Sequence, residues 1–185
     1  PKLTALDSLN YWITSQRESL TRALTMVDVV LLNQKEVLQF AGEPNLLSAA
    51  RRILELGPKA LIVKKGEHGS ICFMRGKALG DSLFLAPAYP LEHVVDPTGA
   101  GDTFAAGFMG YLAREGSLSP AALRRAVVHG TVVASFTVED FSVDRLRTLS
   151  LQDIQARYDE LRHLTYFETL TPAERGVFGE STCQQ

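Results

Sequence analysis

Two short stretches constrain this chain most: Val27-Asp28-Val29-Val30-Leu31-Leu32 and Ala60-Leu61-Ile62-Val63. Both are almost wholly apolar and bounded by turn or helix signals. A strand with one wet face alternates apolar and polar residues, whereas a strand covered on both faces does not. Such strands point to a parallel sheet. Around them the pattern alternates between strand and helix, which predicts an α/β fold with a largely parallel sheet.

The remaining elements follow from period and punctuation. Leu3 to Leu6 reads as a short strand ended by Asp7, and Arg17 to Leu24 as a helix. Glu36 to Phe40 continues as a helix. Leu46 to Leu56 is another, with Leu46, Leu47, Ala50, Ile53, Leu54 and Leu56 at helical spacing and Gly57-Pro58 as its stop. Ser70 to Met74 and Ser82 to Leu85 read as shorter strands, with Gly76 and Gly80 as turn signals. Thr103 to Arg114 is helical and closed by Gly116. Ser119-Pro120, a Ser cap followed by Pro at the first helical position, opens a helix to about Ser135. Leu151 to Leu164 is the last helix, and the residues after Thr171 form a polar tail. The expected organisation is one domain over 1–170 with a tail over 171–185.

Composition narrows the function classes. A chain of 185 residues fits one domain and buries about 70% of its unfolded surface, so it needs no staple. Its 19 basic and 21 acidic residues give a net charge of −2, with no block of five like charges, which argues against nucleic acid or an anionic membrane as partner. No apolar run approaches the ~20 residues of a membrane span, and no signal-peptide pattern precedes the first strand. Cys72 sits in an apolar run and Cys183 in the tail, without a C-x-x-C pair, so a reduced, cytoplasmic setting is expected. His68, His93, His129 and His163 show no metal-ligand spacing. Met26, Met74 and Met109 read as core and Trp12 as packing. The chain begins at Pro1 and enters a β-like run at once, as expected of a processed or truncated chain or of the C-terminal part of a longer one.

Ligands of such sheets bind at the carboxyl ends of the strands, so the residues just after each strand matter most. The most distinctive stretch is Asp96-Pro97-Thr98-Gly99-Ala100-Gly101-Asp102-Thr103. Small residues at a helix start let backbone N–H groups approach an anion, and the helix dipole adds roughly half a positive charge. Asp102 then stands at the mouth of an anion hole, able to accept a proton. The plainer reading makes Asp102 an N-cap and the glycines a turn. The small residues Ala105, Ala106, Gly107 and Gly110 further on predict close packing of this helix. Asn33-Gln34-Lys35-Glu36 is a capping box by spacing, or a carboxylate placed near a metal–phosphate. Lys64-Lys65-Gly66-Glu67-His68-Gly69 is a glycine-containing hairpin, or a lysine and turn that touch phosphates. Asp7 and Asn10 read better as a turn and a helix cap than as site residues.

In this order, Asn33-x-x-Glu36, Lys64-x-Gly66-x-x-Gly69 and Asp96-Pro97-Thr98-Gly99-Ala100-Gly101-Asp102 resemble the ribokinase-like (PfkB) carbohydrate kinase family, over about Leu3 to Leu164. The resemblance implies a three-layer α/β sandwich that moves the γ-phosphoryl of ATP to a hydroxyl of a sugar, nucleoside or related small alcohol. It implies Asp102 as general base and Gly99, Ala100 and Gly101 as anion hole. Asn33 and Glu36 would order Mg²⁺, its waters and the phosphates. Lys64, Gly66 and Gly69 would line the nucleotide and His129 would lie near the adenine. Asp96, Thr98 and Ser142 would form a monovalent-cation loop, with K⁺ as the ion. The family's N-terminal half and β-sheet lid, which carry most acceptor contacts and often pair into homodimers, have no counterpart before Leu3. The alternative is a truncated nucleotide-binding module without catalysis.

Overall fold

The computed structural model describes residues 3–76, 82–171 and 174. The expected Gly80 turn and nearly all of the tail, Cys183 included, lie outside the described residues. Among the described residues five strands form one sheet in the order β1 (Ala5–Asp7), β2 (Val29–Asn33), β3 (Ala60–Lys64), β4 (Ser70–Met74) and β5 (Leu83–Ala86). β1, β2 and β3 run parallel, while β4 and β5 return antiparallel. The sheet is therefore mixed. The Lys65–Gly69 connection is too short for a parallel crossover, so β3 and β4 form a hairpin.

Why β2 and β3 are apolar throughout is visible in the packing. Val30 and Leu32 of β2, with Leu61 and Val63 of β3, face α1 (Asn10–Ser15), α2 (Arg17–Leu24), α3 (Gln34–Ala41) and α4 (Leu46–Glu55). Val29 and Leu31, with Ala60 and Ile62, face α5 (Ala100–Glu115) and α6 (Pro120–Thr137). Successive strand residues point to opposite faces, so both rows must be apolar. The result is a three-layer α/β sandwich. At about 25 cal/mol per Å² of buried apolar surface, these two rows are the main drive for assembly.

α5 and α6 pack closely, as the small residues predict. A Cβ on Gly107 would lie 3.1 Å from the Gly130 Cα, and one on Gly130 would lie 2.7 Å from the Phe104 carbonyl oxygen. A short α7 (Asp144–Arg147) precedes α8 (Leu151–Leu164), which lays Leu161 and Tyr158 against Val132 and Phe136 of α6. Arg157 of α8 stacks on Phe136 and Tyr89 and pairs with Glu139 at 2.6 Å. That ties α8 to the end of α6. No described helix is long and apolar enough to cross a membrane.

Several expectations are corrected. α1 and α7 were not foreseen; α1 has six residues and buries only Ile13. Met26 is 78% exposed and so is not core, whereas Met74 is buried and Trp12, 46% exposed, packs edge-on against Tyr11. β1 takes in Asp7 rather than ending before it. α5 starts at Ala100, three residues before Thr103. Asn10 is no helix cap, because Leu9 holds that position in α1.

Candidate active site

The site is built where three parallel strands end. Asp7, Asn33 and Lys64 are the last residues of β1, β2 and β3. The register pairs Asn33 with Lys64 and places Asp7 beside Leu31, in one row with Ile62. Leu31 and Ile62 pack against α5 and α6, so by alternation Asp7 and Lys64 belong to the same face. The helix above that face begins at the glycine-rich stretch.

Gly99 holds the N-cap position of α5 with φ of 81°, a left-handed conformation that glycine adopts without the Cβ penalty. The start of the helix leaves its donors open. The Ala100 N–H makes a long bond of 3.3 Å to the Pro97 oxygen. The N–H groups of Gly99, Gly101 and Asp102 meet no acceptor among the described residues. First-turn N–H groups of a helix have no partner inside it and carry its positive pole. Asp102 is exposed in that first turn, and its carboxylate makes no hydrogen bond or ion pair among the described residues. It is therefore not an N-cap. A free carboxylate stands beside free N–H donors, an arrangement that can take a proton next to a bound anion.

Asn33 and Glu36 form the capping box that their spacing predicts. The Asn33 Oδ1 accepts the Glu36 N–H at 2.9 Å, and the Glu36 Oε2 accepts the Asn33 N–H at 2.9 Å. The box does not exhaust Glu36, which is only 7% exposed at the strand edge. Burial pushes its carboxyl up from the ordinary value, against the Asn33 N–H bond and the charge of Lys64. Among the described residues no group of three metal-ligating side chains exists.

Lys64 pairs with Asp7, and its Nζ lies 3.5 Å from where a Gly101 Cβ would be. The lysine thus turns toward the mouth of α5. Gly66 opens a 3₁₀ turn over Gly66–His68 and Gly69 closes it, its N–H donating to the Gly66 oxygen at 3.0 Å. Gly69, with φ 81° and ψ −138°, lies against the exit of β5. A Cβ there would overlap the Ala86 carbonyl and come 2.6 Å from the Ala88 nitrogen.

Asp96, Thr98 and Ser142 come together although 44 residues separate the second from the third. The Asp96 Oδ1 accepts the Thr98 N–H at 2.9 Å, and hydrogen bonds from Thr98 and then the Ser142 backbone hold its carboxyl below the usual range. The Val95 N–H donates to the Val138 oxygen at 2.8 Å, joining the two loops, and Ser142 adopts a left-handed φ of 57°.

His129 lies elsewhere. It sits on α6 between the rings of Tyr111 and Tyr158, with Nδ1 buried and without a partner among the described residues. Burial, then Arg114, lowers its pKa. Tyr111 is nine residues along α5 from Asp102, about 13 Å at 1.5 Å per residue. The structure therefore joins Asn33, Glu36, Lys64, Gly99, Ala100, Gly101 and Asp102 at one edge, sets Asp96, Thr98 and Ser142 just before α5, and leaves His129 further along the helices. Sequence reasoning weighed Asp7 and preferred a turn, whereas the structure pairs it with Lys64 at the site. Its position at the end of a parallel strand was the available signal.

Comparisons with known proteins bear on the family and the fold. Residues 3–147 match the pfkB family carbohydrate kinases. The chain is 34% identical over 97 residues to a cytidine kinase of Thermococcus kodakarensis, covering 51% of this chain and 32% of that protein. It is 33% identical over 124 residues to a nucleoside kinase of Methanothermobacter thermautotrophicus, covering 67% of this chain and 36% of that protein. Its fold superposes on the aminoimidazole riboside kinase of Salmonella enterica, crystallised with aminoimidazole riboside and an ATP analogue, with a TM-score of 0.72 at 21% identity, covering 84% of this chain and 52% of that one. The chain thus spans about a third of these curated relatives and about half of the solved kinase. With the strand-edge motifs and the three-layer fold in place, the match over residues 3–147 shows that this chain belongs to the pfkB family of carbohydrate kinases.

Proposed function

We propose that this chain carries the nucleotide and phosphoryl-transfer centre of an ATP-dependent kinase acting on a hydroxyl of a sugar, nucleoside or related small alcohol. The observation that carries this reading is the open first turn of α5, with unpaired N–H groups beside the unengaged Asp102 carboxylate. The terminal phosphoryl seats on the N–H groups of Gly99 to Asp102, and the helix pole favours its charge. Asp102 takes the proton of the acceptor hydroxyl as that oxygen bonds to phosphorus. The bond from phosphorus to the bridging oxygen breaks, and its electron pair leaves with ADP. Such a loose transition state asks for positioning and charge more than for a strong base.

The donor set fits a magnesium ion carried in by the nucleotide, not one held in a protein cage. A buried Glu36 with one oxygen outside the capping box can reach such an ion through water, and three ligating side chains are not needed. When bound, magnesium supplies charge neutralisation of the phosphates. Asn33 keeps Glu36 in place, and Gly66 and Gly69 with the hairpin turn line the nucleotide. Asp96, Thr98 and Ser142 hold a monovalent cation, K⁺, that steadies the loop leading into α5. His129 bounds the far end of the nucleotide site.

Titrating the chain with a non-hydrolysable ATP analogue tests this reading. Binding should tighten when Mg²⁺ is added, and Glu36→Gln should weaken the magnesium-dependent part by about tenfold. The same variant should be at least as stable as the parent at neutral pH, because the raised Glu36 pKa means that its ionisation opposes folding. That cost is absent below the ordinary glutamate pKa and grows as pH rises through the folded value, so the stability gain of Glu36→Gln should vanish in acid. A folded chain that binds no nucleotide contradicts the assignment.

A further inference from the structure

The Lys64–Asp7 pair crosses the mouth of the candidate site, and Asp7 has no part in the reading above. Lys64 keeps 18% of its side-chain surface exposed and Asp7 29%. A cation this covered is costly unless an anion faces it. Asp7 is well fixed for that task, since its Oδ1 accepts the Ser8 N–H at 2.9 Å while Oδ2 meets Lys64. Glu36 is the third charged group here, and its carboxyl feels both Lys64 and Asp7. The ammonium also lies beside Gly101, whose N–H is one of the open donors of α5. An anion that accepts this N–H comes within reach of a flexible lysine already pointed at it.

Resting on the kinase reading above, we infer that Lys64 is the cation that meets the terminal phosphoryl at the mouth of α5, and that Asp7 is the counter-ion it exchanges for that phosphoryl. Lys64 makes no covalent bond. It turns from one anion to another, so the pair satisfies the lysine until the triphosphate arrives. Asp7 is a positioning residue that competes with the ligand. A lysine that merely lined the ribose or base would treat ADP and ATP alike. A merely structural ion pair would lose binding equally when either partner was changed.

Calorimetric titration of the chain with Mg²⁺ and either ADP or a non-hydrolysable ATP analogue separates these cases. Lys64→Met should weaken the analogue by about tenfold or more, the loss of one charge-assisted bond, and ADP by less than about twofold. Lys64→Arg should retain most of the preference for the analogue. Asp7→Asn keeps an acceptor for Lys64 but removes the competing charge, and should tighten the analogue by about threefold. Equal losses for both nucleotides in Lys64→Met, or weaker analogue binding in Asp7→Asn, would overturn the inference while leaving the nucleotide site standing. A folded parent chain that binds neither nucleotide would overturn both.

Discussion

Replacing Asp102 with Asn in the whole protein is expected to lower kcat by about 10²- to 10⁴-fold, the range of a positioned general base. Affinity for the ATP analogue should stay the same or rise, because the substitution removes a negative charge from the mouth of an anion site. The expectation rests on two features. Asp102 is exposed in the first turn of α5 and makes no hydrogen bond or ion pair among the described residues, so its loss costs the fold little. It also adjoins the open donors of Gly99 and Gly101, so a hydroxyl attacking a phosphoryl held there comes within its reach. Steady-state turnover and a binding titration on the same variant check the split. Unchanged turnover would remove Asp102 from the proton-transfer role. A parallel collapse of binding would make it a structural residue of the turn.

The second large effect is on stability. Gly69→Ala should lower the unfolding free energy by about 4 kcal/mol. Two costs add: a side chain forced into a conformation that glycine dominates, and a methyl group driven into the backbone at Ala86 to Ala88. In a chain of this size the loss corresponds to a fall in Tm of about 10 °C. Gly66 makes the contrast. It also has a positive φ, of 60°, but a Cβ there would meet nothing within 4 Å, so Gly66→Ala should cost about 1 kcal/mol through strain alone. Thermal unfolding of the two variants side by side measures the difference. Equal shifts would mean that the β5 exit moves aside and that the contact does not constrain the hairpin. Gly69 therefore has a packing duty that exists before any nucleotide arrives, and its place in the motif cannot be attributed to ligand contact alone.

How far the sequence discloses this molecule depends on whether the relevant contact is local. β2 and β3 are legible because cover on both faces makes Val29 to Leu32 and Ala60 to Val63 apolar without a break, and the two packed faces bear this out. The Asn33–Glu36 box is legible because its hydrogen bonds span three residues. The start of α5 is harder. Ala100 and Gly101 lie ahead of the helix expected over Thr103 to Arg114, yet they belong to its first turn, and it is this turn that supplies the open donors. Asp7 and Lys64 are 57 residues apart and meet only because β1 and β3 flank β2 in parallel register. Spacing carries no trace of that pair. Met26 shows the complementary failure, since apolar character alone does not bury a residue just past the end of an outer helix. Asp96, Thr98 and Ser142 were placed by resemblance, and the structure brings the two loops that bear them into contact.

We propose that the carboxyl edge of β2 and β3 and the first turn of α5 form one phosphate-binding site. Heteronuclear NMR of the chain, titrated with Mg²⁺ and a non-hydrolysable ATP analogue, tests it most directly. The amide signals of Gly99, Gly101 and Asp102 should shift most, as open N–H groups gain acceptors, and those of Asn33 to Glu36 and Gly66 to Gly69 should shift with them. Signals from α4, on the opposite face of the sheet, should stay still. Shifts centred on another surface, with Gly99 to Asp102 unmoved, would place the phosphates elsewhere and contradict this site.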